Sequence, residues 1–407
     1  MRATLISLFL LLPSFSFAQS PSPELKETQD RLKVLEDRLN KLEGAPAKTS
    51  LSAFNPAMGM ALDTAFSGTN DKARFFFRAA EVSLEAPIDP FLKGWAILTG
   101  SAKEFGVEEA ALQTTALPWN LTVTGGRLFA SFGRLAHFHD HELPVIDRPR
   151  SLDTYIGGET QADGLEATVL FPTPFYLTGT VGAYNKIGGE NGRADNAAAR
   201  PLDEFTYLTR LNASGELGES HSLELGVDLA WTPKRTVQDT SVQVDLNGDG
   251  TPDLPNVSAD IFTRENTYRT LAGADLTYRY QPAQGGGYRG LVWSTEVMQN
   301  HERRFDPVTN LPTDRVRAYA GFSYVEVKLG RHWRPGLLVD LSEDLDRARS
   351  LTKTLTGFLT YDVTEFQRLR LAFTQSMINT PGALKNHTVA LQWTGVLGHH
   401  VHGFRGR

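Results

Sequence analysis

Hydrophobic and polar residues alternate along this chain from about residue 57 to about residue 396. In one segment, every second position carries an apolar side chain, with polar or small residues between: Leu223, Leu225, Val227, Leu229 and Trp231. A period of two residues is typical of a β-strand with one apolar and one polar face. The pattern predicts about sixteen strands of about 10 residues each.

The connections between these strands alternate between short and long. The longest are polar and rich in Gly, Asn and Asp, near residues 186–203 and 233–266, and such loops fit poorly in a compact soluble domain. Aromatic residues gather near strand ends: Trp95, Trp119, Phe175, Tyr176, Trp231, Tyr278, Tyr280, Trp333 and Trp393. We therefore predict an all-β fold, a transmembrane antiparallel β-barrel of about 16 strands with an aqueous lumen. The alternative is a soluble all-β assembly with its charged faces toward water.

Two segments precede the predicted barrel. Residues 1–18 have the features of a secretory signal peptide, with Arg2, an apolar run over 5–12, and a small-x-small site ending at Ala18. Residues 19–50 contain a heptad-like series: Leu25, Thr28, Leu32, Leu35, Leu39 and Leu42. This spacing predicts a short N-terminal coiled-coil helix in the periplasm, or else a lone amphipathic spacer helix. The barrel is assigned to residues 51–407.

Composition narrows the functional class. The chain has no cysteine, so an exported protein of this length would need stability from another source, which a closed hydrogen-bonded barrel supplies. The net charge of −6 provides no basic surface for nucleic acid. After the signal segment there is no apolar run of about 18 residues, the length a membrane-spanning helix needs.

The segment from 119 to 158 is the most informative stretch. It begins as an alternating strand and continues into a loop with many opposite charges. We predict that this loop folds into the lumen and that seven residues form the pore constriction: Arg127, Arg134, Asp140, Glu142, Asp147, Arg148 and Arg150. Opposed rows of charge would then create a transverse field across the pore. A salt-bridge network that fixes the loop is an equally open interpretation.

Three histidines, His137, His139 and His141, lie within five residues of this loop. In an extended segment, alternate residues share a face, so the three imidazoles could converge on one transition-metal ion such as zinc. Binding would be weak, because conduction requires release. The alternative is a polar loop without a bound metal. A second group, His399, His400 and His402, follows the last strand. The two groups could be an entry and an exit point for a cation, or the second group could consist merely of polar tail residues.

A calcium loop is predicted farther along the chain. Asp245, Asn247, Asp249 and Asp253 place oxygen ligands at positions 1, 3, 5 and 9, and Gly250 occupies position 6 for the tight turn. Position 12 is Asn256 instead of the bidentate Glu of an EF-hand. The segment is therefore either a calcium site that stabilises a long outer loop or an acidic, turn-rich linker.

Several segments together resemble the phosphate-selective porin O/P-like superfamily, most closely the zinc-regulated outer-membrane proteins within it. The matching segments are FNPAMGMALD at 54–63, VEEAALQTTALP at 107–118, GGRLFASFG at 125–133, the loop around 137–149 and GHHVHGF at 398–404. The resemblance implies an outer-membrane channel, homotrimeric, with the loop after the 125–133 segment constricting the pore. It does not transfer a phosphate substrate, because the positions assigned to the lumen mix Glu166, Glu224 and Asp228 with Arg370.

The sequence thus predicts passive diffusion of small hydrophilic solutes, including divalent metal ions such as zinc, across the outer membrane of a Gram-negative bacterium. Its expected partners are outer-membrane lipid and further copies of the chain. The alternative is a non-conducting barrel with a structural or binding role. No Ser–His pairing at strand spacing stands out, and the sequence HFHDH lacks one residue of the metallo-hydrolase motif H-x-H-x-D-H, so we predict that the protein is not an enzyme.

Overall fold

The computed structural model describes residues 33, 56–70, 72–102, 104–188, 199–234, 236–238, 261–263, 268–282, 288–305, 312–345, 350–379 and 385–398. The predicted signal peptide, the calcium loop and the tail histidines lie outside these residues. The predicted coiled coil also lies outside them, apart from residue 33, which is helical. Among the described residues, no helix has the length and apolar character needed to cross a membrane.

Sixteen strands form a closed antiparallel barrel, which confirms the predicted fold class. Each strand pairs with its neighbour along the chain, β9 pairs with β12, and β1 closes the barrel by pairing with β18. The barrel strands are β1 (Ala57–Thr69), β2 (Lys72–Asp89), β3 (Leu92–Gly100), β4 (Phe105–Thr114), β5 (Leu121–Phe129), β6 (Gln161–Leu170), β7 (Tyr176–Tyr184), β8 (Thr206–Glu216), β9 (His221–Thr232), β12 (Arg269–Tyr280), β13 (Arg289–Phe305), β14 (Pro312–Leu329), β15 (Trp333–Glu343), β16 (Leu351–Asp362), β17 (Gln367–Ile378) and β18 (Asn386–Gly398). Between β9 and β12, β10 (Thr236–Gln238) and β11 (Ile261–Thr263) form a separate two-stranded sheet.

Short helices lie in the connections. Among the described connections, an α-helix, α1, spans Arg150–Tyr155, and 3₁₀ turns span Pro118–Asn120, Asp140–Glu142 and Leu202–Glu204. Short turns join the strands at one end of the barrel, and the strand ends that flank the longest connections, 130–160, 185–205 and 233–268, are all at the other end. The barrel therefore has short turns at one end and long loops at the other, as transmembrane barrels do.

The wall of the barrel is apolar outside and polar inside. On β9, Leu225, Val227 and Leu229 are 45–54% exposed, whereas the alternating Asp228 is only 6% exposed. The register places Asp228 opposite Arg210 on β8 with both side chains buried. A soluble barrel would have charged side chains outside and apolar side chains inside. Apolar side chains outside and charged side chains inside are characteristic of barrels that are surrounded by lipid.

Exposed aromatic side chains form bands near both ends of the wall. Phe175, Tyr176, Trp333 and Trp393 lie toward the short-turn end, and Phe75, Trp231 and Tyr319 lie toward the other end. Such girdles mark the two interfaces of a membrane barrel. Trp95 does not belong to them, contrary to the sequence prediction. Its side chain points inward, and its indole N–H donates to Glu109 Oε2 at 2.9 Å.

Residues 130–160, between β5 and β6, fold into the barrel; we call them the lumen loop. Its apolar side chains include Phe132, Leu135, Leu143, Leu152 and Tyr155, all at most 1% exposed. They pack in one hydrophobic cluster with inward residues of the wall, among them Leu271, Met298, Phe322, Leu338 and Phe358. A polar lumen thus acquires an apolar core on the side where the loop meets β12 to β16.

Candidate functional site

The lumen loop is fixed to wall strands on several sides of the barrel. Near its start, the backbone N–H groups of Arg134 and Leu135 donate to the two carboxylate oxygens of Glu296 on β13, at 3.1 and 2.6 Å. Gly133, with a φ of +64°, precedes them, and a Cβ there would lie 2.6 Å from Glu296 Oε2. A glycine is therefore required for this close approach.

Two arginines of β17 hold the middle of the loop. Arg368 donates to the backbone carbonyl of His141, and Arg370 donates to that of Val145 at 2.8 Å. Arg370 also donates to Gln392 Oε1 at 3.1 Å. Both guanidinium groups are buried, so their hydrogen bonds replace water that the loop excludes. These contacts place the loop across the lumen.

A polar cavity of about 490 Å³ lies between the lumen loop and the wall. Its charged lining residues are Arg78, Asp140, Asp147, Arg148, Asp153, Glu159 and Lys186. Arg78 connects the two sides, because it donates to Asp63 on the wall at 3.0 Å and to Asp140 and Asp147 on the loop at 3.3 and 3.0 Å. Opposite charges therefore face one another across this part of the lumen.

Arg148 organises the loop beside this cavity. Its guanidinium group donates to the carbonyls of Leu135, Ala136 and Phe138, and to the carboxylates of Asp140 at 3.0 Å and Glu159 at 2.8 Å. From the sequence, a transverse charge array and a salt-bridge network that fixes the loop were both open interpretations, and the contacts of Arg148 form such a network. Its hydrogen bonds to three carbonyls and two carboxylates hold the loop in place, and its side chain also lines the cavity.

Asp153 on α1 is a further acidic group at this cavity. Burial raises the pKa of its carboxyl to about 6, an effect that Arg148 opposes and that Asp140 and Asp147 reinforce. Asp153 is therefore a carboxylate at neutral pH and becomes protonated under mildly acidic conditions. The charge of the cavity consequently depends on pH.

His139 is completely buried behind Asp140, among three wall carboxylates. Its Nδ1 lies 3.0 Å from Glu108 Oε1 and 3.5 Å from Glu81 Oε2, and its Nε2 lies 2.9 Å from Glu109 Oε1. His141 is next to this group, with Nδ1 3.0 Å from Glu81 Oε2. We call these five residues the His139 cluster.

The two imidazoles of the cluster differ in their electrostatics. Burial alone would lower the pKa of His139, but its hydrogen bonds to Glu108 and Glu109 outweigh that effect and place its pKa well above the ordinary range. Burial lowers the pKa of His141 to about 4, so that imidazole is neutral. The cluster could thus contain an imidazolium paired with carboxylates or, alternatively, a metal ion.

The predicted convergence of three histidines is wrong, because the backbone is not extended there. The 3₁₀ turn Asp140–Glu142 follows His139, and Glu142 accepts the His139 N–H at 3.1 Å in a capping box. Asp140 points toward Arg78 and Arg148 instead of toward the histidines. The group of potential metal ligands found among the described residues is Glu81, Glu108 and His139, and His137 lies against Phe138.

The predicted constriction is also corrected in part. Arg127 lies on the outward face of β5, where it forms hydrogen bonds of 2.7 and 3.0 Å to Asp163. Arg134 and Glu142 are buried within the loop, and Arg150 is exposed at the start of α1. Of the seven predicted residues, three line the polar cavity: Asp140, Asp147 and Arg148.

The sequence prediction missed Arg78 and Glu108, which both lie at register shifts in the wall. The shift on β2 leaves Arg78 without a partner opposite β1, and the shift on β4 does the same for Glu108 opposite β3. A β-bulge lets two consecutive residues point to the same side of a sheet. The signal was present in the sequence as a break in the alternation near 75–78 and as the consecutive pair Glu108–Glu109.

No protein-family model matches the chain. A curated protein of Aquifex aeolicus strain VF5, described as uncharacterized, is 26% identical to it in an alignment of 408 positions that covers 88% of this chain and 81% of that protein. Its description assigns no function, so none can be carried over.

Solved outer-membrane barrels have the same fold. OmpF of Salmonella typhi in complex with daunomycin is 10% identical, with a TM-score of 0.52, and the alignment covers 85% of this chain and 99% of that one. An anion-selective porin of Comamonas acidovorans is 10% identical, with a TM-score of 0.52 and coverage of 84% and 99%. The trimer form of OmpT, an outer membrane protein of Vibrio cholerae, is 9% identical, with a TM-score of 0.51 and coverage of 84% and 98%. The chain therefore has a porin-like, 16-stranded barrel fold.

Proposed function

We propose that this protein is an outer-membrane channel for passive diffusion of small hydrophilic solutes. The observation that carries the proposal is a closed barrel with a polar interior, an apolar exterior and a loop that constricts the lumen beside a polar cavity. Barrels of about 16 strands leave room for an aqueous channel. The apolar core formed with β12 to β16 occupies the other side of the lumen, so solutes would pass on the side of Arg78 and Lys186.

We further propose that this route favours cations, with divalent metal ions such as zinc among its solutes. Four acidic and three basic side chains line the cavity. Burial raises the pKa of Glu159 to about 8, so the acidic groups reach their full excess of negative charge only above that pH. A narrow route with excess negative charge raises the local concentration of cations. Its mixed charge also disfavours apolar solutes, because crossing would require displacing ordered water.

Membership of the phosphate-selective porin O/P-like superfamily, near its zinc-regulated members, is likewise a proposal, supported by the segments described above. Lumen arginines are present: Arg334, Arg368 and Arg370 are all buried. However, Arg334 is paired with Glu326 at 3.2 Å and with Asp362 at 3.0 Å. We therefore do not extend the proposal to phosphate selectivity.

The proposed assembly is a homotrimer. A shallow outward depression of about 520 Å³ on β2 to β5 includes the small residues Ala86, Gly94, Ala96, Ala110 and Gly125. Small residues allow the walls of two barrels to approach closely. The OmpT comparison structure, which has the same fold, is itself a trimer form. The outward ion pair of Arg127 and Asp163, a costly arrangement against lipid, lies near this surface.

Planar-bilayer recording of the refolded protein tests the proposed function. Discrete conductance steps that scale with salt concentration are expected, with a reversal potential in a salt gradient that indicates a preference for cations. Zinc entry into liposomes loaded with a zinc-sensitive dye tests the divalent solute. A barrel that is folded by electrophoretic mobility but gives no steps would refute the channel and favour a structural or binding role. The absence of enzymatic activity remains a prediction.

A further inference from the structure

We propose that the His139 cluster is a binding site for a transition-metal dication, with Glu81, Glu108, His139 and His141 as ligands. Three donor atoms come from Glu81, Glu108 and His139 and lie within 4.8 Å of one another. In a tetrahedral zinc site with bonds of about 2.0–2.2 Å, neighbouring ligand atoms lie about 3.4 Å apart. The separations of 3.0 and 3.5 Å from His139 Nδ1 to the two carboxylate oxygens are close to that value.

Glu109 supplies a second, independent observation. It lies 2.9 Å from Nε2 of His139, on the side of the ring opposite to Glu108 and Glu81. Metal-bound histidines usually donate their other ring N–H to a carboxylate, which fixes the tautomer and orients the ring. Glu109 is placed to do this, and the tautomer that it selects leaves the lone pair of Nδ1 directed at Glu81 and Glu108.

The wall is shaped to create this arrangement. In a regular strand, Glu108 and Glu109 would point to opposite faces of β4, but the register shift between Ile97 and Leu98 directs both toward the lumen. Bulges of this kind frequently lie beside functional sites. The 3₁₀ turn that follows His139 then brings His141 to the same oxygen of Glu81.

Charge is the reason for assigning a dication. Three carboxylates surround one imidazole, and buried charges need to be paired or to coordinate a metal. Arg78 on β2 is engaged with Asp63, Asp140 and Asp147. Arg368 on β17 donates to the backbone carbonyl of His141. Mixed imidazole and carboxylate ligands suit zinc and similar ions better than calcium or magnesium.

The site would join the lumen loop to β2 and β4, so the ion would act as a clamp on the constriction. The His139 ring is completely buried, whereas the polar cavity begins on the other side of Asp140. The site therefore lies apart from the proposed permeation route. The proposal does not depend on whether the barrel conducts.

Zinc binding by the chelator-treated, refolded barrel tests the site. Because His399, His400 and His402 could also bind zinc, every protein in the series carries Ala at these three positions. Calorimetric titration should then give one tight site per chain, with X-ray absorption showing a shell of nitrogen and oxygen ligands. Glu81→Gln and Glu108→Gln, which preserve side-chain volume, should weaken binding at least 100-fold, and Glu109→Gln should weaken it about 10–100-fold.

His137→Ala is the matched control, because it removes a neighbouring imidazole that does not belong to the ligand set. It should leave the affinity within a factor of two. The proposal is overturned if the barrel binds no zinc, or if His137→Ala weakens binding as much as His139→Ala does. Folding of each variant is verified by the mobility shift of unheated samples. A barrel that conducts but does not bind zinc would refute the metal site and leave the proposed channel intact. A barrel that binds zinc but does not conduct would refute only the proposed channel.

Discussion

Ser151 donates both its backbone N–H and its hydroxyl to a single oxygen, Oδ2 of Asp340, at 3.0 and 2.5 Å. Both residues are completely buried, and they lie 189 positions apart in the chain. The pair joins the first turn of α1 in the lumen loop to β15 in the wall. Together with the contacts of Glu296, Arg368 and Arg370, it determines where the loop crosses the lumen.

Ser151→Ala is expected to destabilise the folded barrel. Removing the hydroxyl leaves the buried carboxylate of Asp340 with one donor fewer, which costs about 1–3 kcal/mol. The free energy of unfolding can be measured by denaturant titration in micelles. Thr154→Ala, which removes a hydroxyl from the same helix, serves as the control. Equal stability of Ser151→Ala and the parent protein would contradict a role for this contact.

Arg78→Gln should make the channel more selective for cations. The substitution removes a positive charge from the cavity wall and releases Asp140 and Asp147, so the permeability ratio of potassium to chloride should rise about two- to tenfold. Reversal potentials in a salt gradient measure this ratio. Arg127→Gln removes the same charge from the outward face and should leave the ratio unchanged. A similar rise in both variants would exclude the assigned route.

Cation selectivity is expected to depend on pH through Asp153. Its carboxyl has a pKa of about 6, so it is charged above that pH and neutral below it. As the pH falls from about 7 to about 5, the cavity loses negative charge and the preference for cations should decrease, whereas an ordinary aspartate near 4 would change little in that range. Reversal potentials recorded across this range should show a step that is absent in Asp153→Asn. A step that persists in this variant would assign the titration to another group.

Gly133→Ala should loosen the start of the lumen loop. The residue has a positive φ, and an added Cβ would meet the Glu296 carboxylate that holds the next two N–H groups. Strain of about 1–3 kcal/mol is expected. Faster trypsin cleavage at Arg134 in the folded barrel would reveal the change. Gly357→Ala on β16, where no atom lies within 4 Å of the added Cβ, is the control and should resist cleavage like the parent.

Ala110→Trp should prevent the proposed trimer from forming, because the indole would fill the depression on β2 to β5. Ala274→Trp places the same side chain on the outward face of β12, away from that surface. Native mass spectrometry of detergent-extracted protein should find monomers for the first variant and trimers for the second. Trimers in both cases would place the interface elsewhere, and monomers in the unmodified protein would refute the trimer.

The fold followed from the sequence because a strand pattern is local. The spacing of Leu225, Val227 and Leu229 is sufficient to identify the outward face of their strand. The number of segments with this spacing indicates the size of the barrel, which has sixteen strands. The same alternation, continued from Val123 to Arg127, would have placed Arg127 on the outward face. That error came from assigning the residue to the loop, since the strand extends to Phe129.

The site could be predicted only in part. The sequence located the loop and named Asp140, Asp147, Arg148 and His139, because charged residues and histidines concentrated between two strands are visible in one dimension. It could not identify Arg78 or Glu108, since each lies at a bulge that reverses the face a regular strand would give it. It also placed His137 with His139 and His141, because the turn that contains His137, closed by the Phe138 N–H to the Leu135 carbonyl at 3.2 Å, is not evident from residue types.

The sequence by itself therefore determined a barrel, its two faces and the existence of a polar loop with metal-binding residue types. Only the tertiary structure decided which wall residues meet that loop. The contact of His139 with Glu108 spans 31 positions, that of Ser151 with Asp340 spans 189, and that of Arg370 with Val145 spans 225. Closure of the barrel brings these residues together, and no periodicity within a single strand records which partner lies across the lumen.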